Sequence, residues 1–195
     1  MRHPYARLEE ALNAFHIKRD RRAFTRMIAR VARLDPIPRD LSRALDEAIL
    51  LAGELPDWRL RCAALDELGS VPGHLTRKAG IVVDSLLSPY PSVRERAWFP
   101  LGGLRLCRAL LRRLEARPPA DLLRFEVLMA VDQMADRLTA PRDRQRLIGF
   151  VKRLQAQPVR SPSVRWKIAD TLHSELHLSL PAGAPGRPRV SRAPV

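Results

Sequence analysis

Apolar residues recur at three- and four-residue intervals along almost the whole chain, and sustained alternation of apolar and polar positions is missing. That spacing marks one face of a 3.6-residue helix, so the pattern predicts an all-α protein. Ten helices are expected, over residues 4–17, 20–34, 38–54, 56–70, 74–88, 91–102, 104–116, 119–138, 140–156 and 162–178. Pro119, Pro141 and Pro162 suit first helical turns, where a missing N–H leaves nothing unpaired. Asp57, Ser92 and Ser163 bring side-chain oxygens to helix starts, where free backbone amides need acceptors. Gly102-Gly103 and the turn "SVPGH" at 70–74 separate helices. The one strand-like run, Ile81-Val82-Val83, lies inside a helical pattern and has no partner strand. After Leu180 the text becomes "PAGAPGRPRVSRAPV", with almost nothing to bury. The expected organisation is a helical domain over 1–179 and a disordered basic tail over 180–195.

Within this pattern a short text recurs: "PDWRLR" from Pro56, "PSVRER" from Pro91 and "PSVRWK" from Pro162. With Trp58, Val93 and Val164 as position zero, position one is arginine in each copy and position three is basic (Arg61, Arg96, Lys167). Position four is small or apolar (Cys62, Ala97, Ile168), and Leu65, Leu101 and Leu172 follow at seven or eight. Positions zero, four and seven or eight share a helical face, so this set is a packing face. The prolines are spaced by 35 and then 71 residues, and "LLRFEVLMAV" at 122–131, with Leu123 at zero, fills the gap as a degenerate copy. A weaker unit has Phe24 at zero, 34 residues before Trp58.

A period in the mid-thirties with two helices per unit belongs to α-solenoids. The signature P-[DS]-[VW]-R with its small and leucine positions resembles HEAT repeats over most of residues 20–178. The resemblance implies a right-handed α-solenoid of about five HEAT-like helix pairs, with an irregular helical bundle as the alternative. It also implies that Arg59, Arg94, Arg165 and Arg124, which follow position zero, are ladder residues holding the stack. Position three lies about 60° from the core direction on the opposite flank. Arg61, Arg96 and Lys167 are therefore expected to line up as a track for phosphates, interrupted by Glu126.

Charge gives this flank its interest. The chain carries 35 Lys and Arg against 21 Asp and Glu, a net +14, and all but four of its basic residues are arginine. Residues 1–34 hold +6, 35–102 hold −2, 103–153 hold +6 and 154–195 hold +4, so the excess lies toward the ends. Such a balance points to a polyanion, with nucleic acid first and an anionic membrane surface second. Lys18, Arg19, Arg21 and Arg22 form one dense cluster, and Arg108, Arg112, Arg113 and Arg117 a second. Aromatic residues make up 5%, which argues against extended base stacking and for electrostatic, weakly sequence-specific contact.

The expected function is nucleic-acid binding without catalysis. DNA is preferred over RNA because HEAT-like basic surfaces occur in DNA repair. A scaffold or assembly factor for an acidic protein is the alternative. No apolar run reaches the roughly 18 residues of a membrane span. Glu9 and Glu10 interrupt the segment a signal peptide would need. The expected location is cytoplasmic, and nucleoid-associated if DNA is the partner. Cys62 and Cys107 have no CxxC spacing and read as buried thiols.

Two constellations bear on chemistry. Trp166 and Asp170, four residues apart, with Trp58 and Trp98 elsewhere, resemble the tryptophans and aspartate of HEAT-like alkylpurine DNA glycosylases. That resemblance implies a carboxylate stabilising a cationic sugar beside an indole. His173 and His177 have i, i+4 spacing and could share a metal, although no third ligand is evident. No nucleotide-binding glycine motif is present, and no cofactor is expected.

Overall fold

The computed structural model describes residues 5–176 except 33, 35, 99, 102, 118, 121 and 122, and leaves the side chain of 175 undescribed. The predicted tail over 180–195 and His177 lie outside the described residues. Among those described, the chain is all-helical with no strand. The helices are α1 (Ala6–Lys18), α2 (Arg21–Val31), α3 (Arg39–Glu54), α4 (Trp58–Glu67), α5 (Leu75–Leu86) and α6 (Pro91–Arg96). They continue as α7 (Leu104–Ala116), α8 (Arg124–Ala135), α9 (Pro141–Ala156) and α10 (Pro162–Asp170), which runs into a π-helical turn at Thr171–Glu175.

Local chemistry explains the starts. Asp20 accepts from the Ala23 amide at 2.7 Å, and Asp57 accepts from Arg59 and Leu60 at 2.8 and 3.1 Å. Pro91, Pro141 and Pro162 occupy first turns as their fixed φ and missing donor favour. Ser92 and Ser163 sit in the first turns of their helices, the cap of α10 being Ser161. Two expectations are corrected. Pro119 precedes α8, which begins only at Arg124. The helix expected over 91–102 stops at Arg96, ahead of Pro100, which cannot continue a helix.

The chain divides between Pro100 and Leu101 into two compact units. In the first, α1 packs on α2, α3 on α4 and α5 on α6; α1 also lies against α3, α3 against α5, α2 against α4 and α4 against α6. Phe15 and Phe24 meet edge to face at 5.4 Å in its core. Ile81, Val82 and Val83 are all buried, which is why this run loses its polar positions without being a strand. Gly53 lets α3 approach α5 closely, since a Cβ there would stand 2.9 Å from Ile81 Cγ2.

In the second unit α7 lies against α9, α8 against α9 and α10, and α9 against α10. Leu110, Leu114, Val131, Met134, Leu147 and Phe150 are among its buried side chains. The shared apolar positions of the repeated text are buried as a packing face should be: Val93, Val127, Val164, Ala97 and Ile168 are all at or below 2% exposure. Trp58, at the start of α4, and Leu123, at the cap of α8, are the exceptions, both half-buried.

Side-chain ties between helices two apart span about one period of the text. Arg77 reaches Glu47 across 30 residues and Arg96 reaches Asp66 across 30. In the second unit Arg108 reaches Asp143 across 35, Arg146 and Arg153 reach Glu115 across 31 and 38, and Arg124 reaches the Pro158 carbonyl across 34.

Candidate nucleic-acid interface

Each basic residue singled out in the sequence now has a position. Lys18, Arg19, Arg21 and Arg22 are exposed where α1 hands over to α2. Arg19 holds φ at 48° as the left-handed cap of α1, its amide donating to Phe15 O at 2.7 Å. Asp20, the acid within this basic run, is engaged by the Ala23 amide. The four cations therefore keep their side chains at the surface while the backbone and the one carboxylate build the turn.

The helices of the first unit extend this cluster. An open recess of about 590 Å³ is lined by Arg21, Arg22, Thr25 and Arg26. Arg26 also borders a second recess of about 480 Å³ between α1 and α2, with Arg7, Arg30 and Glu10 on its rim and Ala11, Ala14 and Ala23 also lining it. Arg21 borders a third, of about 280 Å³, between α2, α4 and α6, with Trp58, Arg59, Asp66, Ser92 and Arg96. Shared arginines thus join three depressions into one basic face. Arg7, Arg26 and Arg30 belong to it although the sequence reading did not single them out. The i, i+4 spacing of Arg22, Arg26 and Arg30 was the signal that could have found them.

Position three of the repeated text meets protein partners in all three copies. Arg61 donates to the Glu54 and Leu55 carbonyls at 3.4 and 3.0 Å, satisfying the end of α3. Arg96 forms an ion pair with Asp66, both side chains being a little over two-fifths exposed. Lys167 is buried, donating to Asp132 and, at 3.0 Å, to Asp170. Burial works against its ammonium, but the two carboxylates more than offset this and hold its pKa above the usual lysine value. Burial pushes the Asp132 carboxyl up, opposed by Lys167 and by the Thr171 hydroxyl, which donates to it at 2.8 Å. Lys167 is thus enclosed by carboxylates of its own helix and of α8.

Position one divides as well. Arg94 donates to the Ser88 and Pro89 carbonyls at 2.9 and 3.2 Å, tying down the turn after α5. Arg124, buried, donates to Pro158 O at 2.9 Å and Gln157 Oε1 at 2.8 Å, joining α8 to the end of α9. Arg59 lies over the Trp58 ring at 5.2 Å, and Arg165 is exposed.

In the second unit Arg108 pairs with Asp143 at 2.7 Å, and Arg112 donates to the Arg108 carbonyl at 3.3 Å. Arg113 and Arg117 are exposed. Asp170 accepts from Lys167 and from Ser174 at 3.3 Å, so the carboxylate of the Trp166/Asp170 pair belongs to the Lys167 network. His173 is exposed, and no group of three metal-ligating side chains occurs among the described residues.

Cys62 and Cys107 are free and buried. Burial raises both thiols, Cys107 to about 11. Among the described residues no helix is long and apolar enough to cross a membrane. No family model matches the chain, and no curated protein or solved structure matches it.

Proposed function

We propose that this chain is a helical-repeat protein that binds nucleic acid through phosphate contacts, without catalysing a reaction on it. The repeat reading draws on helices that pack two apart within each unit and on ties spanning 30 to 39 residues. The HEAT-like signature and the right-handed stack remain part of this proposal.

One observation carries the functional reading: the continuous arginine-lined face over α2, α4 and α6, joined through Arg21 and Arg26. Guanidinium groups displace counterions from a phosphate backbone and can chelate its oxygens in pairs. The face is indifferent to base identity, so affinity is electrostatic and falls steeply with salt. DNA is the preferred partner by analogy with basic helical-repeat proteins of DNA repair.

Titration of labelled DNA and RNA at two salt concentrations tests this. Reversing Arg21, Arg22 and Arg26 to Glu should lower affinity at least about tenfold and flatten the salt slope by roughly the number of contacts removed. Lys152→Glu, exposed on α9, is the control. Undetectable binding at low salt, or an unchanged slope in the triple variant, refutes the proposal. Retention of an acidic protein after nuclease treatment, with no binding to either nucleic acid, would favour the scaffold instead.

A further inference from the structure

The recess between α2, α4 and α6 differs from the other two in having an aromatic wall. Trp58 lines it and stacks on Tyr90 with ring centroids 5.7 Å apart and planes 21° from parallel. Arg59 lies 5.2 Å from the centre of the indole, and Tyr90, the other ring of the pair, is 46% exposed. Tyr90 does not itself line the recess; it meets it through the Trp58 ring.

The cations of the recess converge. Arg21 from α2 and Arg96 from α6 both border it, and both are near enough to the Cys62 thiol to favour its ionised form. Ser92 adds a hydroxyl at the rim. The only carboxylate among the lining residues, Asp66, is held by Arg96. An anion bound there would take over the bond that Asp66 now makes.

We infer that this recess holds one unstacked nucleotide of a single strand, its phosphate between Arg21 and Arg96 and its base added to the Trp58–Tyr90 stack. The inference rests on the nucleic-acid reading and narrows it: single strands are preferred to duplex, in which every base is already stacked on its neighbours. Every base presents a π face, so the preference is independent of sequence. Asp66 acts as an internal competitor, weakening phosphate binding until the recess is filled.

The test compares the full chain's affinity for three probes at low and moderate salt: an oligothymidylate, an abasic oligomer of the same length and charge, and a duplex. Wild type should bind the oligothymidylate about tenfold more tightly than the abasic oligomer, the effect of one stacked base. Tyr90→Ser, at an exposed position, and Trp58→Ala should each bring that ratio toward one. Asp66→Asn should tighten binding of both oligomers.

A wild-type ratio near one, a ratio that survives both aromatic substitutions, or duplex bound more tightly than single strand overturns this inference and leaves the phosphate reading standing. Unchanged or weaker binding by Asp66→Asn overturns the placement of the phosphate at Arg96. Failure of all three probes to bind at low salt overturns both readings.

Discussion

Lys167 on α10 donates to Asp132 on α8, thirty-five residues earlier, and both side chains are nearly out of water at 7% and 12% exposure. Two buried charges at this distance stabilise little relative to an apolar pair, yet neither can be removed alone without stranding the other. Lys167→Met is expected to destabilise the chain by about 3–5 kcal/mol. Lys167→Met combined with Asp132→Leu should recover much of that loss. Chemical denaturation of the two variants decides it; equal losses would show that the pair is not coupled.

Arg124 ties α8 to the end of α9 through a backbone carbonyl and a side-chain amide. Arg124→Ala leaves those acceptors without their charged donor and should cost about 1.5–3 kcal/mol. Arg124→Lys should not restore stability, because a single ammonium cannot reproduce the two-armed reach of the guanidinium. Full rescue by lysine in thermal melts would contradict this account.

Gly53 faces Ile81 at a spacing no Cβ can share. Helix propensity alone would make Gly53→Ala favourable by up to about 1 kcal/mol. The clash outweighs it, so net destabilisation of about 1–2 kcal/mol is expected, as for overpacked cores. Adding Ile81→Ala should remove the alanine's penalty, measured as a non-additive double-mutant cycle.

Glu115 is bracketed by Arg146 and by Arg153 at 2.9 Å. Burial alone would raise its carboxyl, but the two guanidinium groups hold it below the ordinary 4.5. A folded pKa below the unfolded one gives stability that is present above about pH 4.5 and is lost as pH falls through the folded value. Glu115→Gln should therefore have its largest effect on melting temperature near neutrality and a shrinking effect toward pH 3. Parallel pH profiles for wild type and variant would exclude the linkage.

Cys107 is fully buried with its thiol raised to about 11, whereas Cys62 retains 8% exposure at the edge of a recess. At pH 8 an alkylating reagent should modify Cys62 slowly and Cys107 only on unfolding. Peptide mass spectrometry after timed labelling reads the order directly; Cys107 reacting first would refute it.

The helices were legible because prolines and apolar spacing act locally: Asp57 caps α4 and Pro141 opens α9 for reasons contained in a few neighbouring residues. The fate of the basic residues was less legible. A helical wheel assigns Lys167 a direction 60° from the core, but it does not know that Asp132 waits there on another helix. The same limit hid the α3 carbonyls that engage Arg61 and the carboxylate that holds Arg96. The stack of Trp58 on Tyr90 joins residues 32 apart in sequence and has no local signature. Treating Trp58 as the equivalent of Val93 and Val164 concealed it, because an indole at a helix start is too large to bury where a valine fits.

The ties joining Arg77 to Glu47, Arg96 to Asp66 and Arg108 to Asp143 each span roughly one helix pair. Each tie therefore couples a helix to the second one along the chain. Excising one helix of such a tie leaves its cation or its acid on the other helix without that counter-charge.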